Sequence, residues 1–206
     1  MSANAAAIKM AKGQLRDQIK SKLQTIPQES LTHQSKLILA QLTQSPIFQN
    51  AKSVAVYMNM PTSEVQTLPI IRACYDSNKR VYLPRCNTTP AANRKRNYLS
   101  MLHVPTYHDV CQLEPQGKYK LLEPTSGEDC LTRGDLELIL VPGVAFTPTG
   151  ERLGHGGGFY DEFLSTYSRR WSRLPYLMGL ALNEQIVNHI PTQDHDYKLN
   201  KVVTPN

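Results

Sequence analysis

No stretch of this 206-residue chain approaches the length of a membrane span, and no charged-then-apolar leader opens it. A cytoplasmic location is expected. Met1 to Ala7 lacks the arginines of a strong mitochondrial presequence, so a mitochondrial share is left open. The 4 cysteines, Cys74, Cys86, Cys111 and Cys130, form no C-x-x-C pair and no zinc spacing. That argues against a disulfide framework and for reduced thiols. There is no internal repeat and no interdomain linker, so one domain is expected over residues 1–206. Two nucleotide motifs are also missing. No Gly-Lys-Ser/Thr follows the glycine cluster, and Phe159 stands where the third glycine of G-x-G-x-x-G belongs.

What the chain does have is concentrated at Gly150–Asp161, where five glycines share twelve positions with Arg152, His155, Tyr160 and Asp161. The apolar run Leu136 to Val141 precedes it and a helical segment follows it. A glycine-rich turn between a strand and a helix points backbone N–H groups at an anion, and the helix dipole favours the same charge. Arg152 and His155 would add cationic donors, and Asp161 could hold a metal beside a phosphate. The alternative is an ordinary flexible loop.

Helical spacing runs through Ile8, Leu15, Ile19 and Leu23, and again through Leu31, Leu37, Ile38 and Leu42, with stops at Pro27 and near Pro46. Val54 to Met58 reads as a buried strand. A helix with an early proline starts at Thr67 and runs to about Asn78. Val81 to Leu83 is a short strand stopped by Pro84. Tyr98 to Val104 is consistent with a further strand, and residues 109 to 135 with a surface wrap. Helix returns from Asp161 to Arg170 and strand from Leu177 to Leu182. Strands alternating with helices predict a single three-layer α/β/α domain around a mostly parallel sheet, with ligands beyond the carboxyl ends of its strands.

The charge of +6 suits an anionic partner, either a small molecule or a nucleic acid. Lys12 and Arg16 are neighbours on the first helix, and Lys12 falls inside the apolar stripe. Such a cation either snorkels or meets an anion. If the anion is a ligand, methionine at 12 would preserve the stability of the free protein. Glu64 lies in a loop after a strand and is either solvated or gripping a polar ligand. Asp194-His195-Asp196 is either a surface turn or a metal-binding group. Arg94-Lys95-Arg96 reads as a solvated loop, because only Tyr98 offers an aromatic platform near it.

Several motifs together make the chain similar to the 5-formyltetrahydrofolate cyclo-ligase (5,10-methenyltetrahydrofolate synthetase) family over nearly its whole length. They are Lys12-Gly13-Gln14-Leu15-Arg16, Ser63-Glu64-Val65, Pro84-Arg85, Val141-Pro142-Gly143 and Arg152-Leu153-Gly154-His155-Gly156-Gly157-Gly158-Phe159-Tyr160-Asp161. His155 replaces the second arginine of the family signature and Phe159 its first tyrosine. Near the end, Asp196-Tyr197-Lys198-Leu199-Asn200 keeps the first acid of the family's Asp-x-Lys-x-Asp and changes the second to an amide.

The resemblance implies a fold like that of sugar-phosphate isomerase and coenzyme A transferase proteins. It implies ATP-dependent cyclisation of 5-formyltetrahydrofolate to 5,10-methenyltetrahydrofolate, with Mg²⁺. By the same resemblance ATP would be held by Lys12, Arg16, Arg152, Leu153, Gly154, His155, Gly156, Gly157, Gly158, Phe159 and Tyr160. Met58, Glu64, His155, Gly156, Gly157, Gly158, Phe159 and Tyr119 would hold the folate, polyglutamylated or not. Asp161 and Asp196 would hold the metal, and Arg152 and Glu64 would be catalytic. A monomer without nucleic-acid or membrane partners is expected. A nucleic-acid-binding module and a phosphosugar isomerase are the competing readings.

Overall fold

A computed structural model describes residues 3–60, 64–116, 120–193 and 196–206. The chain opens with helices α1 (Ala3–Gln24), α2 (Gln28–Gln44) and α3 (Pro46–Asn50). Strand β1 (Ser53–Ala55), helix α4 (Leu68–Asp76) and strands β2 (Arg80–Asn87) and β3 (Tyr98–Val104) follow. A peripheral segment carries α5 (Tyr107–Cys111), the strand pair β4 (Pro115–Gln116) and β5 (Leu121–Leu122), and α6 (Cys130–Arg133). Next come β6 (Leu138–Val141), the hairpin of β7 (Ala145–Phe146) and β8 (Arg152–Leu153), α7 (Phe159–Trp171), β9 (Tyr176–Leu180) and β10 (Lys201–Val203).

The central sheet has the order β10-β9-β6-β1-β2-β3 and is parallel except for the edge pair β2/β3. Strand alternation divides the core between its two faces. Val54, Leu138, Leu140, Met178 and Leu180 pack with Ile19, Leu31, Ile38 and Ile71 from α1, α2 and α4. Ala55, Ile139, Val141 and Leu177 pack on the other face with Leu131 of α6 and Phe163, Leu164 and Tyr167 of α7. The expected three-layer arrangement follows directly from that alternation.

Four expectations are corrected. Strand β1 is shorter than the apolar run, because residues 56–58 leave the ladder after the bond from the Val56 N–H to the Tyr82 carbonyl (2.9 Å). Leu37 is exposed, and Gln34 and Ser35 take inward positions on α2. Pro84 does not stop β2, which runs on to Asn87 opposite β3. Residue 82 faces β1, so by alternation residue 84 faces the same side, where β1 has already ended. No ladder partner is lost there. The glycine loop also does not follow core strand β6 directly; the β7/β8 hairpin intervenes. The C-terminal strand β10, too short to carry a pattern of its own, was not anticipated.

The basic run at 94–96 is not simply solvated. Arg94 is largely buried and forks onto Glu162 in the first turn of α7, at 2.7 and 2.8 Å, while also donating to the Leu99 carbonyl (2.7 Å). Its guanidinium lies 4.2 Å from the Tyr98 ring centroid. This pair ties the β2–β3 loop to the start of α7. Replacing Arg94 by Met leaves the Glu162 carboxylate buried without its counter-ion. The expected loss is about 3 kcal/mol of stability, read as a lower midpoint in urea at unchanged slope. A midpoint equal to the parent's would show that the pair carries no stability.

Candidate active site

A cavity of about 620 Å³ opens at the carboxyl ends of the parallel strands. Tyr57 and Met58 reach it from beyond β1, Pro84 and Cys86 from the end of β2, and Pro142 from beyond β6. Helix α1 forms one wall, the loop between β8 and α7 another, and Asp196 closes one end. Six lysines and arginines line the cavity against four carboxylates, so its balance is basic.

The glycine loop has the geometry that its composition suggests. Gly156 (φ 100°) and Gly158 (φ 65°) take backbone conformations that other residues rarely adopt. Gly158 is the N-cap of α7, and no side chain caps that end. The 13-residue helix therefore directs uncapped amides toward the cavity.

Lys12 and Arg16 both point inward. Lys12 is buried (8% exposed), and its ammonium lies 2.5 Å from Asp196. The anion that the stripe demanded is thus a side chain of the protein. Arg16 donates from Nε to the Gly154 carbonyl (2.7 Å). Burial lowers its pKa from the usual arginine value, and Asp196 partly offsets that. Arg152 donates to the Pro142 carbonyl (3.2 Å), and its Nη2 lies 3.2 Å from each oxygen of Asp161. The two carboxylates expected at a metal are therefore each paired with a cation expected at a phosphate.

Glu64 is buried (6% exposed) rather than solvated. One carboxylate oxygen accepts the Met60 N–H (2.8 Å) and the other lies 3.3 Å from Nε2 of His155. The change from arginine to histidine in the glycine loop thus sets an imidazole against this carboxylate. Tyr57 and Tyr160 stand beside it. Burial, and then the Glu64 charge, raises both phenols well above their ordinary range. Met58, Phe159, Leu153, Gly154, Gly156 and Gly157 line the same cavity. Tyr119 and the Asp194-His195 pair lie outside the described residues. Among the described residues no cluster of three His, Cys, Asp or Glu side chains could hold a metal by itself. Lys95, Cys86 and Glu123 also line the cavity, although their motifs gave no sign of it.

An α/β protein with a basic, glycine-looped cavity at its strand ends is a phosphate-handling enzyme by architecture. The chain belongs to the 5-formyltetrahydrofolate cyclo-ligase family, whose model matches residues 8–205. It is similar to the 5-formyltetrahydrofolate cyclo-ligase of Saccharomyces cerevisiae, at 34% identity covering 92% of each chain. The enzyme of that name from Mus musculus is 30% identical, covering 97% of this chain and 96% of its own. The solved 5,10-methenyltetrahydrofolate synthetase of Aquifex aeolicus superposes with a TM-score of 0.72 at 27% identity, over 94% of this chain and 89% of that one. The protein is accordingly an ATP-dependent ligase of folate one-carbon metabolism that cyclises 5-formyltetrahydrofolate. Both competing readings, the nucleic-acid module and the phosphosugar isomerase, give way to it.

The Lys12–Asp196 pair reverses one expectation. Lys12→Met now removes a close cation from the Asp196 carboxylate, which also accepts the Gln193 N–H at 2.8 Å. The free protein should lose roughly 2 kcal/mol, somewhat less than a fully dry pair would cost. Thermal melts of parent and variant check this. A variant as stable as the parent would show that the pair contributes nothing in the free protein.

Proposed function

We propose that this cavity binds ATP and 5-formyltetrahydrofolate side by side and transfers the γ-phosphoryl group to the formyl oxygen. The observation that carries the reading is the convergence of Lys12, Arg16, Arg152 and the uncapped start of α7 on one cavity with Glu64, Asp161 and Asp196. A formamide oxygen is a poor leaving group, so N10 cannot close the ring directly. Attack of that oxygen on the γ-phosphorus breaks the bond to ADP and leaves an imidate phosphate at N5. N10 then adds to the activated carbon, phosphate departs with the former formyl oxygen, and N10 gives up its proton.

In this reading Lys12, Arg16 and Arg152 neutralise the phosphates, with amides and side chains from Leu153 through Tyr160 positioning them. Arg152 is the residue closest in kind to a transition-state clamp, being buried, forked and fixed by Pro142. Met58 and Phe159 pack against the folate, and His155 and the loop glycines touch both substrates. Glu64, faced by His155, is the carboxylate placed to accept the N10 proton.

Magnesium fits the residues present. Two carboxylates, Asp161 and Asp196, line the phosphate end, and Mg²⁺ is habitually held by one or two carboxylates plus substrate phosphates. The ion would supply charge neutralisation on the phosphate oxygens. Each carboxylate is paired with Lys12 or Arg152 in the free protein, so Asp161 and Asp196 would hold the ion while Lys12 and Arg152 would meet the phosphates. We also read residues 1–206 as one domain acting as a cytoplasmic monomer; no described helix is long and apolar enough to cross a membrane.

The direct test is near-UV absorbance of methenyl-folate on mixing protein, Mg-ATP and 5-formyltetrahydrofolate. ATP should be consumed only when the folate is present. ATP turnover independent of folate, or no methenyl product, overturns the reading. Asp161→Asn, nearly isosteric in the first turn of α7, should fold, raise the Mg²⁺ needed for half-maximal rate and lower kcat. An unchanged Mg²⁺ titration would remove Asp161 from the metal site.

A further inference from the structure

A second buried carboxylate faces the same cavity and has no part in the scheme above. Glu123 follows β5 and is buried, yet it lines the cavity. The Cys86 thiol, which lines the cavity with it, has its pKa pushed up to about 12, first by burial and then by Glu123. A thiol is a weak donor, so most of the acceptor capacity of Glu123 is left to whatever enters the cavity. Glu64 differs, because both of its oxygens already face a donor.

The segment carrying Glu123 is held from two sides. Leu121 and Leu122 pair with β4, and the Arg85 guanidinium donates to the Thr125 carbonyl. Tyr160 and Cys86 line the cavity together with both carboxylates, and Cys86 pairs with Leu99 across the β2/β3 ladder. Glu64 is at the reacting end, next to the glycine loop through His155.

The geometry points to Glu123 as a further substrate-binding residue, its carboxylate accepting the paired N–H donors of the 2-amino-4-oxo edge of the pterin. This rests on the reading of the cavity as the 5-formyltetrahydrofolate site. That edge, made of the 2-amino group and the neighbouring ring N–H, lies across the bicycle from N5 and its formyl group. Two parallel donors match the two oxygens of a carboxylate. The apolar side chains beside it, Leu99, Leu121 and Leu122, exclude water and strengthen the contact.

The test compares parent, Glu123→Gln and Glu123→Ala with 5-formyltetrahydrofolate and with its 2-desamino analogue. Both variants should raise the folate KM roughly ten- to a hundredfold, the scale of charge-assisted hydrogen bonds, with the ATP KM unchanged. The parent should disfavour the desamino analogue, and Glu123→Ala should no longer tell the two folates apart. Glu123→Gln keeps the volume and an acceptor for Cys86, and a melt establishes that it folds. An unchanged folate KM in both variants, or undiminished discrimination in Glu123→Ala, overturns the assignment. So does a lowered melt with kcat and ATP KM changing together, the mark of a structural role. If the parent itself makes no methenyl product, the reading of the cavity fails; if the parent works and the variants bind folate normally, only the assignment of Glu123 fails.

Discussion

The site depends on charges that hold one another. Lys12 with Asp196, Arg152 with Asp161, and Arg16 on the Gly154 carbonyl tie α1, the glycine loop and the C-terminal segment into one cavity wall. Isolated cations at these depths would be costly, and isolated carboxylates equally so. Pairing offsets both costs in the free protein and keeps each side chain in place at the cavity wall. The same arrangement explains how a basic cavity coexists with a stable core: its charges are compensated locally rather than solvated.

The same cavity also carries apolar lining. Tyr57, Tyr160 and Phe159 give it aromatic walls, and burial keeps the two phenols protonated far above neutral pH. The two phenols beside Glu64 therefore add no negative charge to that wall. The loops and α1 bring the charged side chains to the cavity, and residues just beyond the strand ends, Tyr57, Met58 and Pro142, bring apolar ones.

Much of this was legible in the residues. The inward place of Lys12 followed from 100° spacing against Ile19 and Leu23, and its burial agrees. The strong apolar runs at 136–141 and 177–182 marked the two adjacent core strands β6 and β9. Failures occurred where tertiary context overrides a local rule. Pro84 breaks a ladder only if a strand lies on its N–H side, and that depends on where β1 ends. Arg94 looks solvated until Glu162, 68 residues later, is known to meet it. Strand β10 exists because β9 offers it an edge. Asp196 and Asp161 were expected to face a metal; Lys12 was not foreseen as the partner of Asp196, because a contact 184 residues apart leaves no local periodicity, and Arg152, 9 residues from Asp161, was read as a phosphate donor instead.

That separation has a consequence for how the protein comes to be. Lys12 leaves the ribosome 184 residues before its partner Asp196, and Arg16 waits 138 residues for the Gly154 carbonyl. Contacts so distant in sequence carry the largest loop-closure entropy and form after local structure. A nascent chain can lay helices on the first sheet strands before the cavity has its second wall. That wall is therefore completed late in biosynthesis, when β10 slots beside β9 and Asp196 reaches α1.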